Sequence, residues 1–338
     1  MSGLRFVDVC AGAGGLALGL EQAGFEPVLL LDNKPVACDT LRLNRPGWDV
    51  LETDLREFDP ADHPQTYDVD LLSAGPPRVR SSATAGRAET DEELRLLEAA
   101  VLLTLGIRPR ALLIENVPGM VEADAFAPVR DFIHQELEHL GYRLRWFVVN
   151  AADFGVPQDR RQGVLVAMQE RYFDAFRPPA PSVRRHLSVG EALRASMSAR
   201  GWAGVDDWAD QALKVAPTLV GGSDNRGGAD LGPTGTKKAW ARMGVNGSSL
   251  ADEVPGPEQD GSPEMIKLTV PQAAILQGFP THWRFAGRKT VRYRQIGHAS
   301  PPAVGAALGR AVAAALHGSG EAVSGANASP TAGYTSIP

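Results

Sequence analysis

Four short apolar runs, separated by longer stretches of helical period, constrain this chain more than any other feature. They are LRFVDV (4–9), PVLLLD (27–32), DVDLLSA (68–74) and RALLIENV (110–117). Runs this short and this rich in Leu, Ile and Val are expected in a parallel sheet covered on both faces. Between them, TDEELRLLEAAVLLTLG opens with Thr90 and Glu93 at capping-box spacing and closes on Gly106. APVRDFIHQELEHLG sets Val129, Phe132, Ile133, Leu137 and Leu140 on one helical face and ends at Gly141. YRLRWFVV then alternates like a strand. This strand–helix rhythm predicts an α/β fold, a Rossmann-like doubly wound sheet.

After this region the composition shifts. RPPAPSVRRH (177–186) has the composition of a linker, and residues 180–264 are rich in Gly, Pro, Asp and Ser. That predicts a small, loop-rich module. Helical pattern resumes in LTVPQAAILQGF, where Thr269 and Gln272 repeat the capping-box spacing, and in the Ala-rich PPAVGAALGRAVAAAL (301–316). The expected division is a large domain over 1–179, the module over 180–264, a return to the large domain over 265–317, and a disordered tail over 318–338.

The two cysteines, Cys10 and Cys38, fall within segments of regular structure. No disulfide framework is implied, and a reducing, cytoplasmic setting is expected. The first strand begins almost at the first residue, which leaves no room for a cleavable leader, and no apolar run nears the ~20 residues of a membrane span. A formal charge of -6 argues against a uniformly basic nucleic-acid binder. It leaves room for a basic cleft on an acidic body.

In VDVCAGAGGLALGL, Asp8 stands at a strand end, followed by Gly12, Gly14 and Gly15 and then a helix. Glycines there let a ligand approach the backbone and the helix amino terminus, although tight helix packing alone also asks for them. Asp32 ends the second strand and Asp54 follows the third. Acidic groups at successive strand ends suit the hydroxyls of a nucleoside. The spacing A-G-A-G-G does not fit the dinucleotide fingerprint.

DVCAGAGGLALGLEQAGF, AGPP, ENVPGM, FGVPQDRR, LTVPQAAILQGFP and YRQIGHASPP follow one another in that order. Together they resemble the motif series of the DNA cytosine-5 methyltransferases, over roughly residues 4 to 316 apart from the variable module. The resemblance implies a class I domain binding S-adenosylmethionine, a target-recognition domain over the loop-rich module, and a C-terminal helix completing the large domain. It implies duplex DNA as partner, with a monomer on DNA favoured, and neither membrane nor metal. The cofactor site would comprise Asp8, Cys10, Ala11, Gly12, Gly14, Gly15, Asp32, Asn33, Asp54, Leu55, Pro76, His298 and Ser300. Cys10 stands where the family has a bulky apolar residue and reads as a small buried hydrophobe.

Cytosine C5 is a poor nucleophile. The family attacks C6 with a cysteine thiolate, assisted by a Glu, on a base flipped out of the duplex. Glu115 in LLIENVPGM matches that Glu. Gln158 and Arg160 match two positions of a Gln-x-Arg-x-Arg motif, whose last Arg is Gln162 here. By the resemblance Arg160 would contact the base or its phosphates, and Gln158 and Arg161 the nucleic acid. The family's Pro-Cys-Gln-x-Phe-Ser is replaced by Pro77, Arg78, Val79, Arg80, Ser81, Ser82. A guanidinium stays protonated, so Arg78 cannot be the nucleophile. Arg78, Arg80 and Arg87, with Ser82, instead suit phosphate contact. His298 and Ser300 replace the usual Asn and Val. Three readings stay open: cytosine-5 methylation by an altered route, transfer to another acceptor by direct attack, and a non-catalytic DNA-binding member.

Overall fold

The computed structural model describes residues 3–79, 87–222, 229–259 and 265–325. Its main sheet contains β1 (Leu4–Val9), β2 (Phe25–Asp32), β3 (Val50–Glu52), β4 (Leu71–Ala74), β5 (Ala111–Asn116), β6 (Tyr142–Asn150) and, after the short β7 (Gln158–Asp159), β8 (Arg161–Gln169). The strand order is β3-β2-β1-β4-β5-β8-β6. The first five strands run parallel, and β8 lies antiparallel between β5 and β6. The order reverses between β1 and β4, so the carboxyl ends of those strands bound the crevice where such sheets bind ligands.

Four helices follow the early strands: α1 (Gly15–Gln22), α2 (Pro35–Asn44), α3 (Arg87–Ile107) and α4 (Ala127–His139). The later region carries α5 (Val189–Met197), α6 (Val205–Gln211), α7 (Thr234–Ala241), α8 (Val270–Leu276), α9 (Lys289–His298) and α10 (Pro302–Gly325). Alternation along the strands divides the large core in two. Leu113 of β5 and Val164, Val166 and Met168 of β8 pack with Ala17 and Leu20 of α1 and Val304, Leu308 and Val312 of α10. Their neighbours Leu112, Ile114, Leu165 and Ala167 pack on the other side with Leu97 and Val101 of α3 and Ile133 and Leu137 of α4. The sheet is therefore apolar on both faces, as its uniform Leu/Ile/Val runs require.

A third core gathers Leu193, Met197, Trp208, Trp240, Ile266, Leu268, Phe279, Trp283 and Tyr293, joined by Ala13 and Leu18 from the α1 end of the large core. The loop-rich reading of residues 180–264 overlooked its helices. Helix α5 carries a complete capping box, Ser188 with Glu191. That signal was present in the sequence, but its helix is only nine residues long and sits between turn-rich segments. Two further boundaries are corrected. Gly106 lies inside α3, which ends at Ile107, and its lack of a Cβ admits Pro60, whose Cγ would stand 3.1 Å from one. Helix α10 continues to Gly325, into the stretch expected as a disordered tail. Among the described residues no helix is long and apolar enough to cross a membrane.

The C-terminal return closes on α1 backbone to backbone. A Cβ on Gly19 would lie 2.3 Å from the Pro302 carbonyl and 2.6 Å from the Ala306 nitrogen. Asn44 of α2 donates to the Arg284 carbonyl (2.6 Å) and accepts from its amide (2.8 Å), while Thr40 receives the Ala286 amide and donates to Gln295. Gly19→Val is expected to destabilise the fold by more than ~2 kcal/mol, since overpacking against backbone cannot relax by rotamer change. Gly235→Ala, with open space around its Cβ, should stay within ~1 kcal/mol of wild type. Urea unfolding of both variants checks the contrast; equal midpoints would contradict it.

Candidate functional site

The site is assembled at the carboxyl ends of β1 to β5. After Val9 the chain turns through left-handed backbone at Cys10 (φ 54), Gly12 (φ 54) and Gly14 (φ 80). The turn is held by Ala11 N–H on the Leu31 carbonyl (3.0 Å) and Gly12 N–H on Asp32 Oδ2 (2.8 Å). Asp32 Oδ1 also accepts the Lys34 amide (2.9 Å), so one carboxylate joins the turn to the start of α2. A Cβ on Gly12 would meet open space, whereas one on Gly15 would lie 2.0 Å from the Ser300 carbonyl. Gly12 therefore leaves room above the turn, and Gly15 admits the returning chain. The two readings of the glycines thus apply to different residues.

Asp8 is buried at the end of β1, where Oδ1 accepts from Ser73 Oγ at 2.5 Å and Oδ2 has no partner among the described residues. Burial pushes its carboxyl up to about 7, against the Ser73 hydrogen bond and with a further push from Asp32. Asp32 is also raised, chiefly by burial. Asp54 pairs with Arg56 at 2.7 Å, which holds it down to about 2. Near them Asn33 is exposed, while Ala11, Leu55 and Pro76 are buried. Burial, then the charges of Asp32, Asp8 and Asp54, drive the Cys10 thiol far above its usual range. Burial likewise raises Cys38 to about 11. Neither thiol is a nucleophile at neutral pH.

The chemistry end begins one strand over. Gly75 N–H bonds the Val9 carbonyl (3.2 Å), which sets AGPP beside the glycine turn. Asn116, at the end of β5, then pins the following residues. Its Oδ1 accepts from Val79 N–H (3.1 Å) and Val117 N–H (2.8 Å), and its Nδ2 donates to the Pro77 carbonyl (3.4 Å). Arg78 is trapped between those two anchors. Its Nη2 stands 3.5 Å from Oε1 of Glu115, which is buried at the strand end. The contact is an ion pair without hydrogen-bond geometry: Arg78 Nε and Nη2 and Glu115 Oε1 are all buried without a hydrogen-bond partner among the described residues. Sequence reasoning passed over Asn116 as a loop anchor, although ENV placed it beside Glu115.

Two expected nucleic-acid contacts are turned inward. Gln158 is wholly buried, donating to the Leu276 carbonyl (3.1 Å) and Gln277 Oε1 (2.8 Å) and accepting from Leu219 N–H (2.8 Å). Arg160 is wholly buried too, with its guanidinium on the carbonyls of Leu219, Gly297 and Ala299 at 2.9 to 3.1 Å. These side chains stitch the loop after β9 (Ala216–Pro217) and the end of α9 to the large domain. Burial first, then the Arg78 charge, pulls the Arg160 guanidinium below its usual range, and Glu115 opposes that. Ser300 does adjoin the glycine turn, its carbonyl lying against Gly15, and its Oγ accepts from Gln162 (2.9 Å). His298 instead faces the loop after β9, with Nε2 3.1 Å from the Gly222 carbonyl. Arg161 is exposed and paired with Glu122. Arg80 and Ser82 lie outside the described residues, as does the side chain of Arg87 at the start of α3.

The raised Asp8 gives a signed pH dependence. Its folded value of about 7 exceeds the ordinary 3.8 of an aspartate, so its contribution to stability is fully present below ~4 and is lost as pH rises through about 7. Asp8→Asn, which keeps an acceptor for Ser73 and no ionisable proton, should therefore gain on wild type between pH 5 and 8, by an amount on the order of a few kcal/mol. Denaturant midpoints at the two pH values measure this. A difference that does not change with pH would refute it.

Residues 4–314 match the family model of C-5 cytosine-specific DNA methylases. The chain is 42% identical over 327 residues to the type II methyltransferase M.NaeI of Lentzea aerocolonigenes, spanning 95% of this chain and 77% of that protein. It is 39% identical over 314 residues to the type II methyltransferase M.NgoMIV of Neisseria gonorrhoeae, spanning 92% and 97%. Among solved structures, the Entamoeba histolytica methyltransferase EhMeth superposes with a TM-score of 0.64 at 14% identity, covering 92% of this chain and 98% of that one. The S. pombe Dnmt2 methyltransferase superposes at 0.60 with 17% identity, covering 93% and 99%.

Proposed function

This chain belongs to the C-5 cytosine-specific DNA methylases, and from that membership we propose that it binds S-adenosylmethionine and duplex DNA but does not methylate C5 by thiolate attack. The cofactor fits the residues present. Gly12 leaves open space over the turn, Asp8 Oδ2 lacks a partner among the described residues, and the carboxylates of Asp32 and Asp54 stand at neighbouring strand ends. Asp8, Asp32, Asn33, Asp54, Leu55 and Pro76 would hold it, with the Cys10–Gly14 turn against it. When bound, S-adenosylmethionine supplies an electrophilic methyl group.

The observation that carries the proposal is Arg78, fixed by Asn116 on the Glu115 carboxylate where the family places its nucleophile. A guanidinium cannot attack C6, and both thiols of the chain are driven upward in pKa at other positions. Glu115 faces a cation, with Oε1 3.5 Å from Arg78 Nη2. What remains is a scaffold that recognises DNA. Residues 180–264 act as its recognition module, and Arg80, Ser82, Arg87 and Arg161 reach phosphates. A flipped base would meet Arg78 and Glu115 as a donor and an acceptor side by side.

Calorimetry should show S-adenosylmethionine binding to wild type and its loss in Asp32→Ala; an athermal wild-type titration across temperatures would count against the cofactor site. Incubation with labelled cofactor and genomic DNA, then nucleoside mass spectrometry, should give no 5-methylcytosine. A duplex carrying 5-fluorocytosine should give no covalent band on a denaturing gel. Either product would overturn the proposal, and a methylated nucleoside of another kind would place the acceptor elsewhere on the base.

A further inference from the structure

We propose that the cleft between α10 and the segment joining β8 to α5 binds a small organic anion, with an acidic head on Arg177 and Arg310 and a flat apolar body. The site is separate from the turn after β1 and from the Arg78 loop, since none of the residues expected there lines it.

The cleft has a volume of about 350 Å³ and two chemically distinct parts. Phe154, Pro179, Ala307 and Ala311 form an apolar wall, and Arg177 and Arg310 supply charge. A small-molecule site is mostly apolar, holds a few polar groups that orient the ligand, and measures roughly 300–1,000 Å³. Among the described residues no carboxylate lines the cleft. The acids closest along the chain are engaged elsewhere, Asp153 with His186 (2.9 Å) and Asp174 with Arg143 (2.7 Å).

Both arginines are exposed, so their charge is within reach of a solute. Arg177 bonds through Nη1 alone, to the carbonyls of Asp174 (2.7 Å) and Phe176 (2.8 Å). Those bonds steady the guanidinium and leave the rest of its fork for an anion. No hydrogen bond or ion pair joins Arg310 to a described residue. On a body of formal charge -6, two cations without acidic partners make a local attraction for anions.

The rim is ordered before a ligand arrives. Pro178, Pro179 and Pro181 restrict its backbone, and the amides of Ser182 and Val183 bond the Asp153 carbonyl (2.9 and 3.3 Å). Such order lowers the cost of binding. A backbone phosphodiester would satisfy the arginines and leave the wall of Phe154 and Pro179 unused. An anion that carries its own ring uses both parts. It would draw one arginine from each side and so fasten the segment leading to α5 onto α10.

The probe is 2-naphthalenesulfonate, titrated by calorimetry into the full chain at fixed ionic strength. Inorganic sulfate, the head alone, and 2-naphthol, the body alone, should each bind at least about tenfold more weakly than the probe. Arg177→Ala and Arg310→Ala should each weaken the probe about tenfold, the loss of one charge-assisted pair. Arg310→Lys, which keeps the charge and loses the fork, should lose less. Ala311→Leu keeps both arginines and fills the cleft, and should abolish binding. Urea midpoints confirm that each variant is folded. Equal affinity for wild type and both alanine variants, or undiminished binding by Ala311→Leu, would overturn the proposal.

Two competitors complete the test. Saturating S-adenosylmethionine should leave the probe bound; displacement would put the probe in the cofactor site and refute a separate one. A duplex oligonucleotide should leave it bound as well. Displacement by the duplex would assign Arg177 and Arg310 to the DNA backbone, and the small-anion site would fall while the DNA reading stood.

Discussion

Where Gly15 passes the Ser300 carbonyl and Gly19 passes Pro302, two backbones approach with no room for a side chain on α1. The geometry of the site depends on that closure. It brings residues separated by most of the chain into one wall beside the β1 turn, and it places Ser300 where Gln162 can reach it. Gln158 completes the seam by bonding the Leu219 amide of the loop after β9 and the Leu276 carbonyl at the end of α8, and Arg160 by bonding carbonyls of the same loop and the end of α9. Buried polar groups of this kind act through directionality, since each satisfied bond fixes one segment relative to another. The loop leading out of β9 therefore inherits its position from side chains of the large domain.

The carboxyl edge of the sheet separates two electrostatic regimes. Around the glycine turn, Asp8, Asp32 and Cys10 are all disfavoured as anions by burial, so the ends of β1 and β2 are poor in water and rich in carboxyl groups. One strand further, at β5, the excess is cationic, with Arg78 and Arg160 around Glu115. Such opposition suits a cationic cofactor on one side and an anionic polymer on the other. A neutral thiol at position 78 would leave Glu115 and Arg160 as opposite charges. The arginine adds the charge that unbalances them.

Much of the fold was legible in the residues. The uniform apolar runs located β1, β2, β4 and β5, and the capping box at Thr269 and Gln272 located the start of α8, because those signals are local. The glycine turn and the acids at successive strand ends were legible for the same reason. Gln158 and Arg160 were not, since motif position cannot tell a side chain that reaches solvent from one that bonds to a loop some sixty residues later. The role of Asn116 as the anchor of the Pro77–Val79 loop was also hidden, because its partners come from another strand end.

By itself the sequence determined the parallel strands, the glycine turn after β1 and the absence of a thiol after Pro77, each carried by residue type and spacing within a few positions. Tertiary structure alone decided which glycine faces open space and which the returning chain, since a Cβ on Gly12 would meet nothing and one on Gly15 would meet the Ser300 carbonyl. It also decided what became of Arg78. The sequence placed a cation in a loop; the pinning of that loop to β5 placed the cation against Glu115, because distances between charges are set by packing rather than by order along the chain.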